Sequence, residues 1–418
     1  MEPPRTTESA EPPFWVASGV LLLMLLWPFI IGVRQLKADT LEMTVTPVTP
    51  TATATITPSP TASATATLTA TPTHTASTTP TPSVTNTPTP TFTPSPSPTP
   101  TPVIYPPARR RSGFYFGGHV HDFTAADKMT YAGMKWVKFQ IHEGDNDAGD
   151  KIDRGHEKGF RVLLSVLGDA SRVTDETYYS QYAAYVADLA VQGADAIEIW
   201  NEPNIARDWP AGQISPTLYL NFLRPSYEAI KAANPQTLVI SAGLAATLLA
   251  QSLRTEHAWA EVDYSTTFVR EGGLPYTDCI GVHYNAGNTP PDYSDNAPTG
   301  DAAFVYFPRL LEYYVRLTRG ARPLCFTELG YLTSDGYPPL AETAPDFQWA
   351  QNITLQNQVQ WLTKVVTLTA AHPQVEMLIV WNVDFLQYGA DPHAGYAIVR
   401  QGGGCPACDL LHTLNLGG

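Results

Sequence analysis

Two glutamates stand at the ends of short apolar segments, and together they could carry out acid–base chemistry. Glu202 lies in AIEIWNEP (196–203) and Glu328 in PLCFTELGY (323–331). Both segments have the apolar, β-branched character of buried strands, and Pro203 ends the first because it cannot donate a backbone hydrogen bond. The packing of a strand does not require carboxylates there. Two carboxylates about 5 Å apart are what hydrolysis of a glycosidic bond with retention requires, one as nucleophile and one as acid and base.

Eight such apolar segments alternate with longer segments of helical period after residue 112. The predicted strands are 113–121, 136–142, 161–168, 196–202, 238–244, 279–285, 323–331 and 376–384, and the helical segments include 175–193, 217–235 and 347–373. This alternation predicts a parallel sheet, and eight units in about 300 residues predict an α/β fold of the (β/α)8 TIM barrel type. The alternative, a doubly wound sheet, would normally begin with a glycine-rich turn that the sequence lacks. In a barrel, chemistry takes place at the carboxyl ends of the strands.

Other polar and aromatic side chains near the ends of the predicted strands would line the mouth of such a barrel. Those expected to contact a substrate are Asn201, His283, Tyr284, Trp381, His121 and Gln140. His119 and His121 resemble a pair of metal ligands, but no third ligand is evident, so lining of the mouth is favoured and no metal is expected. Glu198 shares a strand face with Glu202 and is expected to pair with Lys138 inside the barrel. For Tyr284, a place in the core is the alternative.

The two glutamate motifs, WNEPN (200–204) and FTELGY (326–331), together resemble those of the clan A glycoside hydrolases, the (β/α)8 group that includes families 5 and 39. The resemblance covers roughly residues 112–416. It implies a hydrolase that cleaves O-glycosidic bonds with retention, with Glu202 as the acid/base and Glu328 as the nucleophile. Its substrate would be a neutral polysaccharide or oligosaccharide, and no cofactor is implied.

The resemblance also implies roles for three other residues at the mouth. Asn201 would bond the sugar 2-hydroxyl, Trp381 would stack on the sugar in the cleaved subsite, and His283 would line that subsite. The expected partner is therefore a carbohydrate substrate.

Two positions depart from the pattern of many members of this group. Where many have His-x-Tyr on the sixth strand, the third position here is Asn285, with Tyr284 adjacent. Where many have an arginine on the second strand near the nucleophile, Lys138 or Gln140 stands here, and an ammonium does not reproduce the arginine fork. These differences leave an alternative: a catalytically impaired barrel that acts as a surface carbohydrate-binding module.

The charge of the predicted barrel bears on its partners. Residues 112–418 hold 19 basic and 34 acidic side chains, a net charge near −15. Such a charge repels polyanions, so no nucleic-acid partner is expected. The substrate should be neutral or cationic, and the chain is expected to act as a monomer.

The first 111 residues are organised differently. A short tail (1–13) precedes residues 14–33, which carry no charge and are long enough to span a bilayer, so a single transmembrane anchor is predicted; a cleaved secretory signal is the alternative. Residues 44–111 form a Thr/Pro-rich linker, predicted to be disordered because it cannot bury enough apolar area to fold. We expect a single-pass cell-membrane protein with its catalytic domain (112–418) extracellular, or secreted if the signal is cleaved. Two basic residues after the span weakly favour the opposite orientation.

The sequence contains four cysteines. Cys279 and Cys325 each lie near the start of an apolar segment, where a free thiol would act as a small hydrophobic side chain. Cys405 and Cys408 form a C-P-A-C motif. Because no second Cys/His pair and no thioredoxin-like context accompany this motif, a local disulfide is favoured over metal or redox chemistry.

Overall fold

The computed structural model describes residues 113–248, 253–294 and 300–416. The strands are β1 Tyr115–His119, β2 Trp136–His142, β3 Arg161–Leu167, β4 Ala196–Ile199, β5 Leu238–Ser241, β6 Ile280–Tyr284, β7 Leu324–Leu329 and β8 Val375–Val380. They form one parallel sheet in the order β5-β4-β3-β2-β1-β8-β7-β6. A parallel bridge between Ile240 and Cys279 joins the two ends of this order. The sheet therefore closes, and the predicted eight-stranded barrel is confirmed.

Helices connect the strands. Those in the described residues are α1 Ala126–Tyr131, α2 Ala148–Glu157, α3 Glu176–Val191, α4 Pro216–Ala233, α5 Glu261–Arg270, α6 Phe307–Thr318, α7 Leu340–Thr343, α8 Leu355–Ala371, α9 His393–Tyr396 and α10 Pro406–His412. The predictions for 175–193 and 217–235 correspond to α3 and α4. The prediction of one helix over 347–373 is wrong in its first part, because a separate 3-10 helix covers Pro345–Ala350.

The lumen of the barrel changes from apolar to charged along the strands. At the amino ends of the strands an apolar layer fills it, made of Trp136, Leu163, Ala196, Ile240, Cys279, Cys325, Met377 and Ile379. Two residues beyond this layer on their strands, Lys138 and Glu198 are fully buried, and Nζ and Oε2 lie 2.9 Å apart. The expected pairing of these two residues is confirmed. Successive inward-facing residues therefore become polar towards the carboxyl ends of the strands.

Two disulfide bonds are present in the described residues. Cys279 and Cys325 are bonded to each other in the apolar layer, so the expectation of two free thiols is wrong. Cys279 directly precedes β6 and Cys325 is the second residue of the neighbouring strand β7, and both belong to the layer that fills the lumen. Cys405 and Cys408 form the expected local disulfide at the start of α10.

The predicted membrane span (14–33) and Thr/Pro-rich linker (44–111) lie outside the described residues. Within the described ranges, no helix combines the length and the apolar character that crossing a bilayer requires.

Candidate active site

The turn after β4 sets the position of Glu202. β4 ends at Ile199, and Trp200 (φ 68°) and Glu202 (φ 39°) then adopt left-handed backbone conformations, which residues other than glycine rarely adopt. The Trp200 ring is fully buried, and its Nε1 donates a hydrogen bond to the carbonyl of Asp208 at 2.7 Å. The Glu202 N–H donates to the carbonyl of Gly243 at 3.1 Å. These contacts hold the turn in the conformation that brings the Glu202 carboxyl to the mouth.

Glu328 approaches from β7, three positions from β4 across the closed sheet. The β6–β7 register shifts at His283, and the β7–β8 register shifts around Glu328, an irregularity that often re-aims side chains beside active sites. One oxygen of Glu202, one oxygen of Glu328 and one ring nitrogen of His283 all lie within 4.8 Å of one another. The Nδ1 atom of His283 is 3.0 Å from Oε1 of Glu202 and 3.8 Å from Oε2 of Glu328. The structure therefore brings the two predicted carboxylates together at one end of the barrel.

Buried charges control the ionisation of Glu328. The Nζ atom of Lys138 is 3.2 Å from Oε1 of Glu328 and 2.9 Å from Oε2 of Glu198, and all three side chains are buried. Burial alone would raise the pKa of Glu328, but Lys138, His283 and His119 together outweigh burial and hold the pKa well below its usual range. Asn285 donates a hydrogen bond from Nδ2 to the other oxygen of Glu328 at 3.1 Å. Lys138 and Asn285 thus contact Glu328 directly, at the two positions where the sequence departs from the family pattern.

His119 lies between Glu328 and the aromatic side of the mouth. Its Nδ1 is 3.6 Å from Oε1 of Glu328, too far for a good hydrogen bond. Burial lowers the pKa of His119 to about 4, so the ring is neutral at pH 7. Its edge meets the ring of Trp381 at a centroid distance of 4.9 Å and that of Phe385 at 5.2 Å. His119 therefore links the proposed nucleophile to an aromatic wall.

Four residues of the β4 turn and the loop after it are joined by hydrogen bonds. Asn201 donates from Nδ2 to Oδ2 of Asp208 at 2.7 Å, and Oδ1 of Asp208 accepts from Nε of Arg207 at 3.1 Å. Arg207 in turn donates from Nη2 to Oε2 of Glu202. The Oδ1 atom of Asn201 is buried and has no hydrogen-bond partner among the described residues. The amide nitrogen of Asn201 is therefore occupied, whereas its oxygen remains available as an acceptor.

The remaining predicted contact residues lie at different depths of the mouth. Trp381 is partly exposed beside His119, as a residue at the floor of a sugar site would be. Gln140 is exposed, two residues beyond Lys138 on the same face of β2. His121 lies on the exposed rim, where its backbone N–H donates to Oδ1 of Asp384 at 2.8 Å. The structure thus places Trp381 beside His119, the neighbour of Glu328, and Gln140 and His121 further out.

The prediction that Tyr284 contacts substrate is wrong. His283 points into the lumen, so its neighbour on β6 points outward. The Tyr284 ring is fully buried, packs against Phe307 and Tyr331, and donates its hydroxyl to the carbonyl of Val305 at 2.8 Å. Tyr284 therefore belongs to the core, the alternative left open by the sequence.

Sequence reasoning missed three residues that shape the site: Arg207, Asp208 and Gly243. The first two resemble ordinary loop charges, although they lie only five and six positions after Glu202. At Gly243, a Cβ atom would fall 2.2 Å from Cδ2 of His283, so a larger residue would displace the imidazole. The glycine in the predicted fifth strand was the available signal, because an isolated glycine in a strand often marks a close approach.

The side chains of Glu202, His283 and Glu328 could also bind a single metal ion. Glu202, His283 and Glu328 each offer a ligand atom within 4.8 Å of the others. The buried ammonium of Lys138, 3.2 Å from Glu328, opposes a cation at this point. The arrangement suits a carboxylate pair better than a metal centre.

The chain was compared with known proteins. No protein-family model matches the sequence, and no curated protein sequence matches it. Solved structures that resemble it include Thermotoga maritima Cel5A in complex with a mannotriose substrate, at 12% identity, with 73% of this chain and 100% of that chain covered and a TM-score of 0.47. GH5_18 from Streptomyces cattleya in complex with Manb1-4GlcNAc is 15% identical, over 72% and 80% of the two chains, with a TM-score of 0.48.

A glycoside hydrolase family 30 subfamily 8 xylanase from Clostridium acetobutylicum is also similar, at 14% identity over 72% of this chain and 71% of that chain, with a TM-score of 0.44. The sequence identity to these three structures and the TM-scores are low, so the case for an activity rests on the residues of this site.

Proposed function

We propose that the barrel is a glycoside hydrolase that cleaves O-glycosidic bonds of a neutral polysaccharide or oligosaccharide with retention of configuration. The observation that carries the proposal is the closeness of Glu202 and Glu328, whose nearest oxygens lie within 4.8 Å at the barrel mouth. Retaining enzymes hold their carboxyl groups about 5–5.5 Å apart, whereas inverting enzymes need about 6.5–9.5 Å to admit a water. The short separation supports double displacement.

Glu328 is the proposed nucleophile, because Lys138 favours its ionised form. Its carboxylate attacks the anomeric carbon as the glycosidic C–O bond breaks, and Glu202 donates a proton to the leaving oxygen. A water then attacks the same carbon, Glu202 accepts the proton of that water, and the ester bond to Glu328 breaks. Both carboxyl groups return to their starting states, and the configuration is retained after two inversions.

The other residues of the mouth support binding of a sugar. Trp381 offers a partly exposed ring on which a sugar face can stack. The buried Oδ1 of Asn201, which has no partner among the described residues, is suited to accept a hydrogen bond from a sugar hydroxyl. His283 contacts both carboxylates from β6, and the exposed Gln140 and His121 extend the groove outward.

Substitution of each glutamate tests the proposal. Glu328→Gln should abolish turnover of every substrate, because an amide cannot form the glycosyl ester. Glu202→Gln should lower hydrolysis of unactivated oligosaccharides by about 10²–10⁴-fold, yet spare the first step on activated aryl glycosides, whose leaving groups need little protonation. With azide added, this variant should yield a glycosyl azide of retained configuration. Glu342→Gln, the same change at an exposed residue of α7, is the control and should behave as wild type.

The alternative function is that of a carbohydrate-binding module without turnover, and one contact favours it: Arg207 occupies an oxygen of the proposed acid, Glu202. A wild type that binds a glycan, yet neither hydrolyses it nor becomes labelled at Glu328 by a 2-fluoro sugar inactivator, would establish the module. Trp381→Ala weakens binding under both functions and does not discriminate between them.

We also propose that the barrel works outside the cell, anchored by residues 14–33 and separated from the membrane by the Thr/Pro-rich linker. Two disulfides in the described residues support an oxidising compartment. The net negative charge argues against a nucleic-acid partner and is compatible with a neutral substrate, and we propose that the chain acts as a monomer.

A further inference from the structure

We propose that Arg207 is a displaceable positioning residue for Glu202: it contacts the carboxylate before substrate binds, and the sugar on the leaving-group side displaces it so that Glu202 can be protonated. This inference rests on the proposed role of Glu202 as acid/base. It concerns how one carboxyl group can serve as acid in the first step and as base in the second.

The contact creates a conflict that the reaction must resolve. The guanidinium of Arg207 donates from Nη2 to Oε2 of Glu202, and a nearby cation favours the ionised form of a carboxyl group. A general acid must instead be protonated when the leaving oxygen departs. Arg207 therefore has to leave Glu202 before the first step, or the first step is slow.

The surroundings of Arg207 allow it to leave. Its side chain is 40% exposed, whereas that of Glu202 is 7% exposed, so the arginine lies on the open side of the pair. Its Nε is bonded to Oδ1 of Asp208 at 3.1 Å. This second contact can hold the arginine close by while Nη2 moves away from Glu202.

The remaining charges then favour protonation of Glu202. Asp208 on the same loop and His283 on β6 contact Arg207 and Glu202, and Glu328 on β7 and Asp391 after β8 act on Arg207 through their charges. Behind them, His119 on β1 and Lys138 on β2 lie against Glu328, and Glu198 on β4 lies against Lys138 and His283. Carboxylates outnumber cations in this set. Lys138 lies against Glu328, so of two close carboxyl groups Glu202 is the one that takes up a proton.

Return of Arg207 completes the cycle. On displacement Glu202 takes a proton from solvent, and it gives that proton to the glycosidic oxygen as the C–O bond breaks. When the leaving sugar departs, Arg207 again contacts the ionised Glu202, which is the form that accepts a proton from the attacking water. The proton gained from that water returns to solvent, so the protons balance over one catalytic cycle.

The test compares pH profiles of Arg207→Gln, Arg207→Lys and wild type on whichever of cellotetraose, mannotetraose and xylotetraose the wild type hydrolyses fastest. The alkaline limb of kcat/KM reports the pKa of the general acid in the free enzyme, and the alkaline limb of kcat reports its pKa in the enzyme–substrate complex. In Arg207→Gln the limb of kcat/KM should move up by about one pH unit, because a cation beside the acid is lost. The limb of kcat should stay in place, because substrate has already displaced the arginine. In Arg207→Lys the limb of kcat/KM should move up less, because a lysine keeps a cation near Glu202.

Controls separate this inference from the proposed function. Arg172→Gln removes a partly exposed arginine paired with Asp175 and should leave both limbs unchanged. If both limbs move together in Arg207→Gln, the arginine stays on Glu202 throughout and displacement is disproved. If neither limb moves although Glu202→Gln has lost activity, Arg207 does not act on the acid. If Glu202→Gln keeps the wild-type rate, it is the proposed role of Glu202 that fails.

Discussion

The ammonium group of Lys138 is fully buried between two carboxylates, those of Glu198 and Glu328. Burial alone would lower the pKa of a lysine, but the charges of Glu198 and Glu328 outweigh burial and raise it. Burial alone would also raise the pKa of Glu198, but the Lys138 ammonium, with contacts from His283 and Thr327, outweighs burial and lowers this pKa to about 2. Lys138 thus favours the ionised form of two buried carboxylates, and one of them is the proposed nucleophile.

Lys138→Met should move the acid limb of kcat/KM to higher pH by about 1–3 units, because Glu328 is then protonated at a higher pH. The free energy of unfolding at pH 7, measured in urea, should fall by about 3–5 kcal/mol, since Glu198 is left buried without its partner. The double variant Lys138→Met/Glu198→Gln is the control for stability. The double variant should recover much of the lost stability but keep the shifted acid limb of kcat/KM. An acid limb at the wild-type pH in both variants would contradict the role given to Lys138.

At the same scale, sequence motifs located the two glutamates but not their partners. WNEPN and FTELGY are specific because a carboxylate at the end of a buried strand has no packing role. Arg207 and Asp208 carry no such signal, since charged residues are ordinary in loops. Tyr284 was misplaced although strict alternation from His283 would have turned it outward, so the period of the strand was a better guide than nearness to the strand end.

At the scale of the elements, the strands were predictable and their register was not. The apolar segments lie within a few residues of the observed strands because turn residues and polar loops bound them. The shifts at His283 and around Glu328 depend on pairing with neighbouring strands, which a single sequence does not reveal. These shifts occur where β6 and β7 present the side chains of the site.

The start of α8 shows how a local signal can override periodicity. The apolar period continues through 347–373, but Thr354 and Asn357 form a capping box, each side chain accepting from the backbone N–H of the other. This box ends the preceding segment and begins the helix at Leu355. Asn357 at the third helical position replaces the usual Glu or Gln, which is why the signature is easy to overlook.

At the scale of the whole molecule, the proposed location can be tested by fractionation. The full-length chain should sediment with membranes, because residues 14–33 are long and apolar enough to span a bilayer. Mild proteolysis of intact cells should release the active barrel by cutting in the Thr/Pro-rich linker. Recovery of a soluble chain that begins near residue 40 would instead establish a cleaved secretory signal.

The two disulfides make unequal contributions to the stability of the barrel. Cys279–Cys325 joins β6 to β7 across a sequence separation of 46, whereas Cys405–Cys408 spans a separation of 3. Because a cross-link restricts the unfolded chain more when its loop is longer, Cys279→Ala/Cys325→Ala should lower the free energy of unfolding by about 4 kcal/mol and Cys405→Ala/Cys408→Ala by about 1.5 kcal/mol. Urea unfolding at pH 7 measures both, each variant serving as the control for the other.

The same two variants also test whether the disulfides affect catalysis at the mouth of the barrel. Cys279 and Cys325 lie in the apolar layer at the amino ends of the strands, and Glu202 and Glu328 lie at the carboxyl ends. Removal of the longer cross-link should therefore leave kcat at 25 °C close to wild type while the protein unfolds at lower urea. Equal losses of stability in the two variants would show that loop length does not govern these bonds. A loss of kcat without loss of stability would show that the disulfide acts on the mouth through the strands.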